Sequence, residues 1–168
     1  MIEVKRVFPE CNADTLLSEL ILKRGTPAHY KGVSKVSKAL KKYENAEHFI
    51  IGVIDTDKFQ REDNYILEFT ETVENKLIKE GLIIKKLPKT NKHLIRIDPE
   101  FEPWMWKIAK ECGINPKTYG YNSLTEFYKA SKREEVVQNK NFKKMINDII
   151  KANPPAIQTL RKWLEKVF

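Results

Sequence analysis

The chain is short of cysteine, histidine and glycine, and it has no long apolar run. Its 168 residues include two cysteines, three histidines and six glycines. Cys11 and Cys112 are far apart and lack the paired spacing of a disulfide framework or a zinc knuckle. No stretch approaches the roughly 18 apolar residues of a membrane span, and the N-terminus lacks the apolar segment of a signal peptide. We therefore expect a cytoplasmic protein with no membrane partner.

Three nucleotide-binding and hydrolase motifs are also absent. The sequence contains no Gly-x-x-x-x-Gly-Lys-Ser/Thr, so it has no P-loop for nucleotide hydrolysis. It also lacks Gly-x-Gly-x-x-Gly and Gly-x-Ser-x-Gly, which argues against a dinucleotide-binding fold and a serine hydrolase.

Charge is plentiful but unevenly distributed. The net charge is +8, and 32% of the residues are charged. Residues 51–84 hold four basic and eight acidic side chains, whereas residues 85–168 hold 18 basic and nine acidic ones. An acidic middle beside a basic C-terminal half suits a metal centre that faces a polyanion such as nucleic acid. A lysine-rich solvated surface would give the same totals.

The apolar patterns predict an α/β fold followed by a mostly helical part. Residues 2–8 alternate apolar and polar side chains, as in a strand. The continuous apolar run 49–54 is typical of a strand in a parallel sheet that helices cover on both faces. In chain order we predict strands at 2–8, 49–54, 82–87 and 94–97, and helices at 13–23, 34–43, 65–80, 101–112, 122–131, 133–138, 141–152 and 154–167. This order favours an α/β core at 1–98 and a helical extension at 99–168 packed on it, or one compact unit.

Acidic residues follow two of the predicted strands. Glu10 comes after the first strand, and Asp55 and Asp57 come directly after the buried one. Residues two apart in an extended segment point the same way, and ligands of open α/β sheets gather at the carboxyl ends of the strands. Two unpaired carboxylates in one place repel each other, and a hard cation such as Mg²⁺ or Mn²⁺ removes that penalty. The pair therefore indicates a divalent-metal site, although a capping Asp57 beside a solvated Asp55 would also fit.

The order of these features resembles the TOPRIM domain, the catalytic module of topoisomerases, primases and OLD-type nucleases. The resemblance lies in a strand, Glu10, a helix, a loop with Gly32, a second helix, and an apolar strand that leads into Asp55-x-Asp57. The segment 93–104 is similar to the Asn-Pro-x-Phe-Glu-x-Trp signature of RloB-like and abortive-infection TOPRIM proteins, with Asp98 in place of Asn. The resemblance implies a Rossmannoid parallel sheet flanked by helices. Cys11 stands where the family usually has glycine.

The resemblance also implies roles for individual residues. Glu10, Asp55 and Asp57 match the family's catalytic, metal-binding carboxylates, with Mg²⁺ or Mn²⁺ as the cofactor. Asp14 matches the second acidic position of OLD-type nucleases, and Glu102 would add a further carboxylate ligand.

Basic and imidazole side chains complete the candidate site. Lys31 and Lys35 flank the predicted start of the second helix, where they could bind phosphate together with the helix dipole. Lys132 and Arg133 could form a surface that follows a nucleic-acid backbone. His93 is a candidate catalytic acid or base, as is His29, which lies in the loop before Gly32. Solvated helix faces and structural histidines are the ordinary alternatives.

These observations leave three functional hypotheses. The first is a TOPRIM-like, Mg²⁺-dependent nuclease, a hydrolase of phage defence or nucleic-acid processing. The second is a catalytically degenerate TOPRIM-like module that binds nucleic acid or a partner ATPase. The third is an Asp-x-Asp phosphotransferase or phosphatase, although Phe59 occupies the position where that phosphatase pattern needs Thr or Val.

Overall fold

The computed structural model describes residues 6–23, 29–44, 47–56 and 63–168. Within them, five strands form one mixed sheet: β1 (Val7–Pro9), β2 (Ile50–Asp55), β3 (Glu71–Lys76), β4 (Leu82–Lys86) and β5 (Lys92–Ile97). The α-helices are α1 (Asn12–Leu22), α2 (Val33–Lys42), α3 (Asn64–Leu67), α4 (Leu77–Glu80), α5 (Phe101–Glu111), α6 (Leu124–Ser131), α7 (Lys140–Ala152) and α8 (Pro155–Leu164). Short 3₁₀ helices span Pro116–Tyr119, Glu134–Gln138 and Glu165–Val167. None of these helices is long and apolar enough to cross a membrane.

The sheet is only partly parallel. Its strand order is β1-β2-β5-β4-β3, and β1, β2 and β5 run parallel. The strands β4 and β3 are antiparallel to their neighbours and form one edge. The prediction of a parallel sheet therefore holds for three strands and is wrong for the other two, because β3, β4 and β5 follow one another through short reversals. The parallel strands end together, with Pro9, Val53 and Ile95 level with one another.

The predicted helix at 65–80 is wrong. Only its two ends are helical, as the single turns α3 and α4, and the middle is the edge strand β3. Leu, Glu and Lys favour a helix in this segment, but hydrogen bonding to β4 outweighs that weak local preference. Gly81, with φ of +67°, then reverses the chain into β4, and a side chain there would collide with Trp104.

Strand alternation assigns side chains to two cores. Val7, Ile51 and Val53 face a large cluster formed with α1, α5, α7 and α8. Phe8 and Ile54 face a smaller cluster formed with α2 and the segment around α3. The large cluster contains residues from both sides of residue 98, so the C-terminal helices complete the core of the sheet.

Gly52 sets how closely α2 approaches the sheet. A Cβ atom at this position would lie 2.9 Å from a methyl of Leu40 and 3.1 Å from methyls of Val36 and Leu94. Helix α2 can therefore pack against β2 at this distance only because no side chain intervenes.

We expect Gly52→Val to destabilise the fold by about 1–3 kcal/mol, since the new side chain overpacks a closed core. Chemical denaturation followed by circular dichroism measures the change. Thr72→Val, which adds the same side chain at an exposed position of β3, is the control and should shift stability by less than about 0.5 kcal/mol. Equal effects of the two substitutions would contradict this account of Gly52.

Candidate metal centre

The first two parallel strands end in carboxylates that their backbones hold together. The Glu10 N–H donates to the carbonyl of Val53 at 3.0 Å, which extends the β1–β2 pairing by one residue. The Asp55 N–H donates to Glu10 Oε2, also at 3.0 Å. The Glu10 carboxylate therefore lies against the end of β2. Asp55 Oδ1 in turn accepts a 3.0 Å hydrogen bond from the N–H of Phe101, the first residue of α5.

Helix α1 adds Asp14. Cys11 caps this helix: its Sγ accepts from the Asp14 N–H at 3.4 Å and donates to Asp14 Oδ2 at 3.1 Å. Asp14 Oδ1 is buried and has no hydrogen-bond partner among the residues that the structure describes. Cys11 has φ of −129°, an extended conformation that needs no glycine. The departure from the family pattern at this position therefore causes no backbone strain.

Helix α5 adds Glu102, which is completely buried. Its Oε1 accepts a hydrogen bond from the Ser131 hydroxyl and lies 3.3 Å from the Lys132 ammonium. Within the described part of the chain, its Oε2 is buried without a hydrogen-bond partner. Lys132 is half exposed, and its ammonium also lies 4.9 Å from the centre of the Tyr128 ring.

Burial and the negative charge of neighbouring carboxylates together raise the pKa values of Asp55 and Asp14. Burial, followed by the charges of Asp14, Glu10 and Glu102, raises the pKa of Asp55 to about 10. Burial is also the main reason that the pKa of Asp14 rises to about 7, with Glu10 and Glu102 adding to it. Burial acts to lower the pKa of Lys132, but Glu102 and nearby acidic groups outweigh it and raise that pKa. Without further cations, the site takes up protons.

The donor chemistry fits a hard divalent cation. The unpartnered oxygens of Asp14 and Glu102 and the acidic groups around Asp55 are what Mg²⁺ or Mn²⁺ coordinates in proteins. Among the described residues, however, no three His, Cys, Asp or Glu side chains converge closely enough to hold a metal ion. Asp57, the predicted partner of Asp55, lies outside the described residues.

The predicted phosphate-binding residues lie in different places. Lys132 contacts Glu102 and so belongs to the acidic site. Lys31 precedes α2 and forms an exposed 3.2 Å ion pair with Glu134. Lys35 is exposed on α2, and Arg133 is exposed beside the 3₁₀ helix Glu134–Gln138. The Lys31–Glu134 pair brings Lys31 near the segment that contains Lys132 and Arg133, and Lys35 lies one helical turn further along α2.

The two candidate histidines differ in position. His93 lies at the amino end of β5, level with Ile51, whereas the carboxylates lie at the other end of the strands. It is buried, stacks on Phe49 with ring centres 4.1 Å apart, and burial lowers its pKa to about 4. Burial lowers the pKa of His29, and the nearby backbone of Cys11 acts in the opposite direction. His29 is therefore the histidine beside the acidic site, and His93 is separate from it.

Some contributors to the site have no sequence signal. Ser131 and Lys132 end α6, about thirty positions after Glu102, and only the packing of α6 against α5 brings them to it. The hydrogen bond from Phe101 to Asp55 comes from a backbone N–H, which every residue except proline has, so the residue type does not predict it. The Cys11 cap could have been found, because a side chain that precedes a helix and can accept a hydrogen bond is a capping signal.

Comparisons with known proteins assign no role to the residues of this site. No family model, no curated protein and no solved structure matches the chain.

The raised carboxyl pKa values predict that stability falls as pH rises. The folded protein holds protons on Asp55 and Asp14 that the unfolded chain releases above its ordinary carboxyl pKa near 4. Asp55→Asn keeps the acceptor oxygen for the Phe101 N–H and removes the charge. In EDTA, we expect this variant to be more stable than the wild type. The margin in the free energy of unfolding should increase between pH 5 and 8, by at most about 1.4 kcal/mol for each pH unit.

Denaturant titrations at several pH values measure this margin. Glu165→Gln, which removes one negative charge from an exposed position, is the matched control and should track the wild type. A margin that is constant with pH would mean that Asp55 is not protonated in the folded protein.

Proposed function

We propose that this chain is a TOPRIM-like, divalent-cation-dependent enzyme that cleaves phosphodiester bonds in nucleic acid. The observation that carries the proposal is the mutual electrostatic influence of Glu10, Asp14, Asp55 and Glu102. They come from the ends of β1 and β2 and from the first turns of α1 and α5. Carboxylates whose charges repel one another in a buried region are unfavourable for stability, and a bound cation would offset that repulsion.

The fold supports the TOPRIM assignment. Glu10 follows β1, Asp55 is the last residue of the neighbouring parallel strand β2, and α1 and α2 lie between those strands in the sequence. The loop that contains Gly32 lies against Glu10, because the Gly32 N–H donates to the Glu10 carbonyl at 3.2 Å. The Phe-Glu-x-Trp segment opens α5, where Phe101 binds Asp55 through its backbone and Glu102 enters the site.

A cation would be held by Glu10, Asp55 and Asp57, with Asp14 and Glu102 available to a second ion. When bound, it would polarise the phosphodiester and stabilise the negative charge that develops in the transition state. The hydrogen bonds from Asp55 N–H to Glu10 and from Phe101 N–H to Asp55 orient two of these ligands. Cys11 orients Asp14, and Ser131 orients Glu102.

Lys132 supplies positive charge from the protein itself. It neutralises part of Glu102 and is half exposed, so its ammonium can also meet a phosphate oxygen. His29, with its lowered pKa, is neutral at physiological pH and available to accept a proton. A role in phage defence or with a partner ATPase would be consistent with this chemistry, and neighbouring genes would test it.

We expect the purified protein to cleave DNA or RNA with Mg²⁺ or Mn²⁺ and to be inactive in EDTA. Asp55→Asn should lower the cleavage rate by at least about 100-fold, because it removes a cation ligand while keeping the hydrogen bond from Phe101. Gel assays with labelled oligonucleotides measure the rate, and calorimetric titration with Mn²⁺ measures cation binding.

Glu165→Gln should retain both activity and cation binding, and it controls for general charge effects. Wild-type activity in Asp55→Asn would eliminate the proposed metal site. Activity in EDTA would eliminate the cation requirement.

A non-catalytic TOPRIM-like binding module is the second candidate. It is favoured by the Lys132–Glu102 ion pair and by the lack of three converging ligands among residues 6–23, 29–44, 47–56 and 63–168. If titration shows no binding of Mg²⁺ or Mn²⁺ while nucleic-acid binding persists, this candidate replaces the enzyme.

A further inference from the structure

A groove with an aromatic floor lies beside α2, outside the acidic site. It is a shallow depression, wide open to solvent, with a volume of about 450 Å³. The rings of Tyr30 and Tyr43 are partly exposed in it, and both pack edge-on against the buried ring of Phe8, at 5.3 and 6.2 Å between centres. The Tyr43 hydroxyl is 2.8 Å from His48 Nδ1, which fixes that ring further.

Three lysines border this aromatic floor. Lys35, Lys38 and Lys42 follow one another at helical spacing, so they share one exposed face of α2. The apolar face of the same helix is buried against β2, which fixes where the lysines stand. The groove lining contains no acidic side chain, and these lysines form no ion pair within the described residues. The charge of Lys38 does act on Asp63.

We propose that this groove binds single-stranded nucleic acid, with unpaired bases against Tyr30 and Tyr43 and the adjoining phosphates on the three lysines. Aromatic rings with a basic border are the usual combination for strands whose bases are unpaired. The faces of bases inside a duplex are covered by their neighbours, whereas unpaired bases can lie against these rings, so the groove favours single strands. This inference rests on the proposed function, because it names the substrate class of that enzyme.

The groove and the acidic site meet at the end of β1. The Tyr30 N–H donates to the Pro9 carbonyl at 3.2 Å, and the Gly32 N–H donates to the next carbonyl, that of Glu10. Phe8, the residue before Pro9, thus supports the groove, and Glu10, the residue after Pro9, belongs to the acidic site. A strand held in the groove would have its continuation beside the carboxylates.

The occupant could instead be a second copy of the chain or another protein. The lysine border argues against an apolar partner, because burying three ammonium groups without partners would oppose binding. A polyanion gains affinity from the same lysines through release of its counterions. We therefore commit to nucleic acid, and the experiment below tests the other occupants.

The test is fluorescence anisotropy of a labelled single-stranded oligonucleotide in EDTA, where binding is separated from cleavage. We expect Tyr43→Leu and Tyr30→Leu each to weaken binding by about 5- to 100-fold. An oligonucleotide of the same length without bases should bind the wild type as weakly as the intact strand binds these variants. A duplex of the same sequence should also bind more weakly than the single strand.

Lysine variants test the border of the groove and leave the core untouched. Lys38→Ala should weaken binding and reduce the slope of log affinity against log salt concentration by about one. Lys144→Ala, an exposed lysine on α7, and Tyr119→Leu, a partly exposed tyrosine outside the groove, are the matched controls. Thermal unfolding monitors the fold of every variant.

Equal binding of intact and base-free strands, or wild-type binding by both tyrosine variants, would overturn the proposal. So would a wild-type dimer in sedimentation that Tyr43→Leu dissociates and that binds no oligonucleotide, since the groove would then hold a second copy. Cleavage that survives in all groove variants with unchanged KM would overturn this inference alone. Binding that depends on the groove, without any cleavage, would overturn only the proposed enzyme activity.

Discussion

Repulsion among buried carboxylates is the main constraint at the carboxyl ends of the parallel strands. Asp55 lies among Glu10, Asp14 and Glu102, and three of these four side chains are buried. Water cannot screen them there, so the charges require protons, the Lys132 ammonium or a metal ion. The surrounding contacts meet this requirement in part: backbone N–H groups, Cys11 and Ser131 each bind one carboxylate and hold it in place.

The same constraint links the site to the fold as a whole. Glu102 enters from α5, and Lys132 follows α6, so the C-terminal helices supply both a carboxylate and the cation that meets it. The large core joins those helices to the sheet. On the other face, Gly52 allows α2 to lie close to β2. This contact positions the lysines of the groove and places the loop before α2 beside Glu10.

The sequence predicted the parallel strands β2 and β5 well, and it failed at the edge of the sheet. Of the first predicted strand, 2–8, residues 2–5 lie outside the described residues, and only Val7 and Phe8 belong to β1. The apolar run that contains Gly52 has a strong strand signal because helices cover both of its faces. Segment 71–76 has exposed and charged residues that suit a helix equally well, and only pairing with β4 makes it a strand. His93 was a candidate because of the motif beside it in sequence, but the stack on Phe49 buries it at the opposite end of the strands.

Short-range patterns by themselves determined the α/β class, the helical C-terminal part and the placement of Glu10 and Asp55 after strands. Such features depend on periodicity and on the order of elements, which the chain carries locally. Tertiary contacts alone set which carboxylates share one space, that Lys132 meets Glu102, and that Phe8, Tyr30 and Tyr43 form one groove with the lysines of α2. These pairings join residues that are distant in the sequence, so they exist only once helices have packed on both faces of the sheet. The sequence therefore predicts the carboxylates of the acidic site, whereas their contacts with Ser131, Lys132 and the Phe101 N–H come from packing.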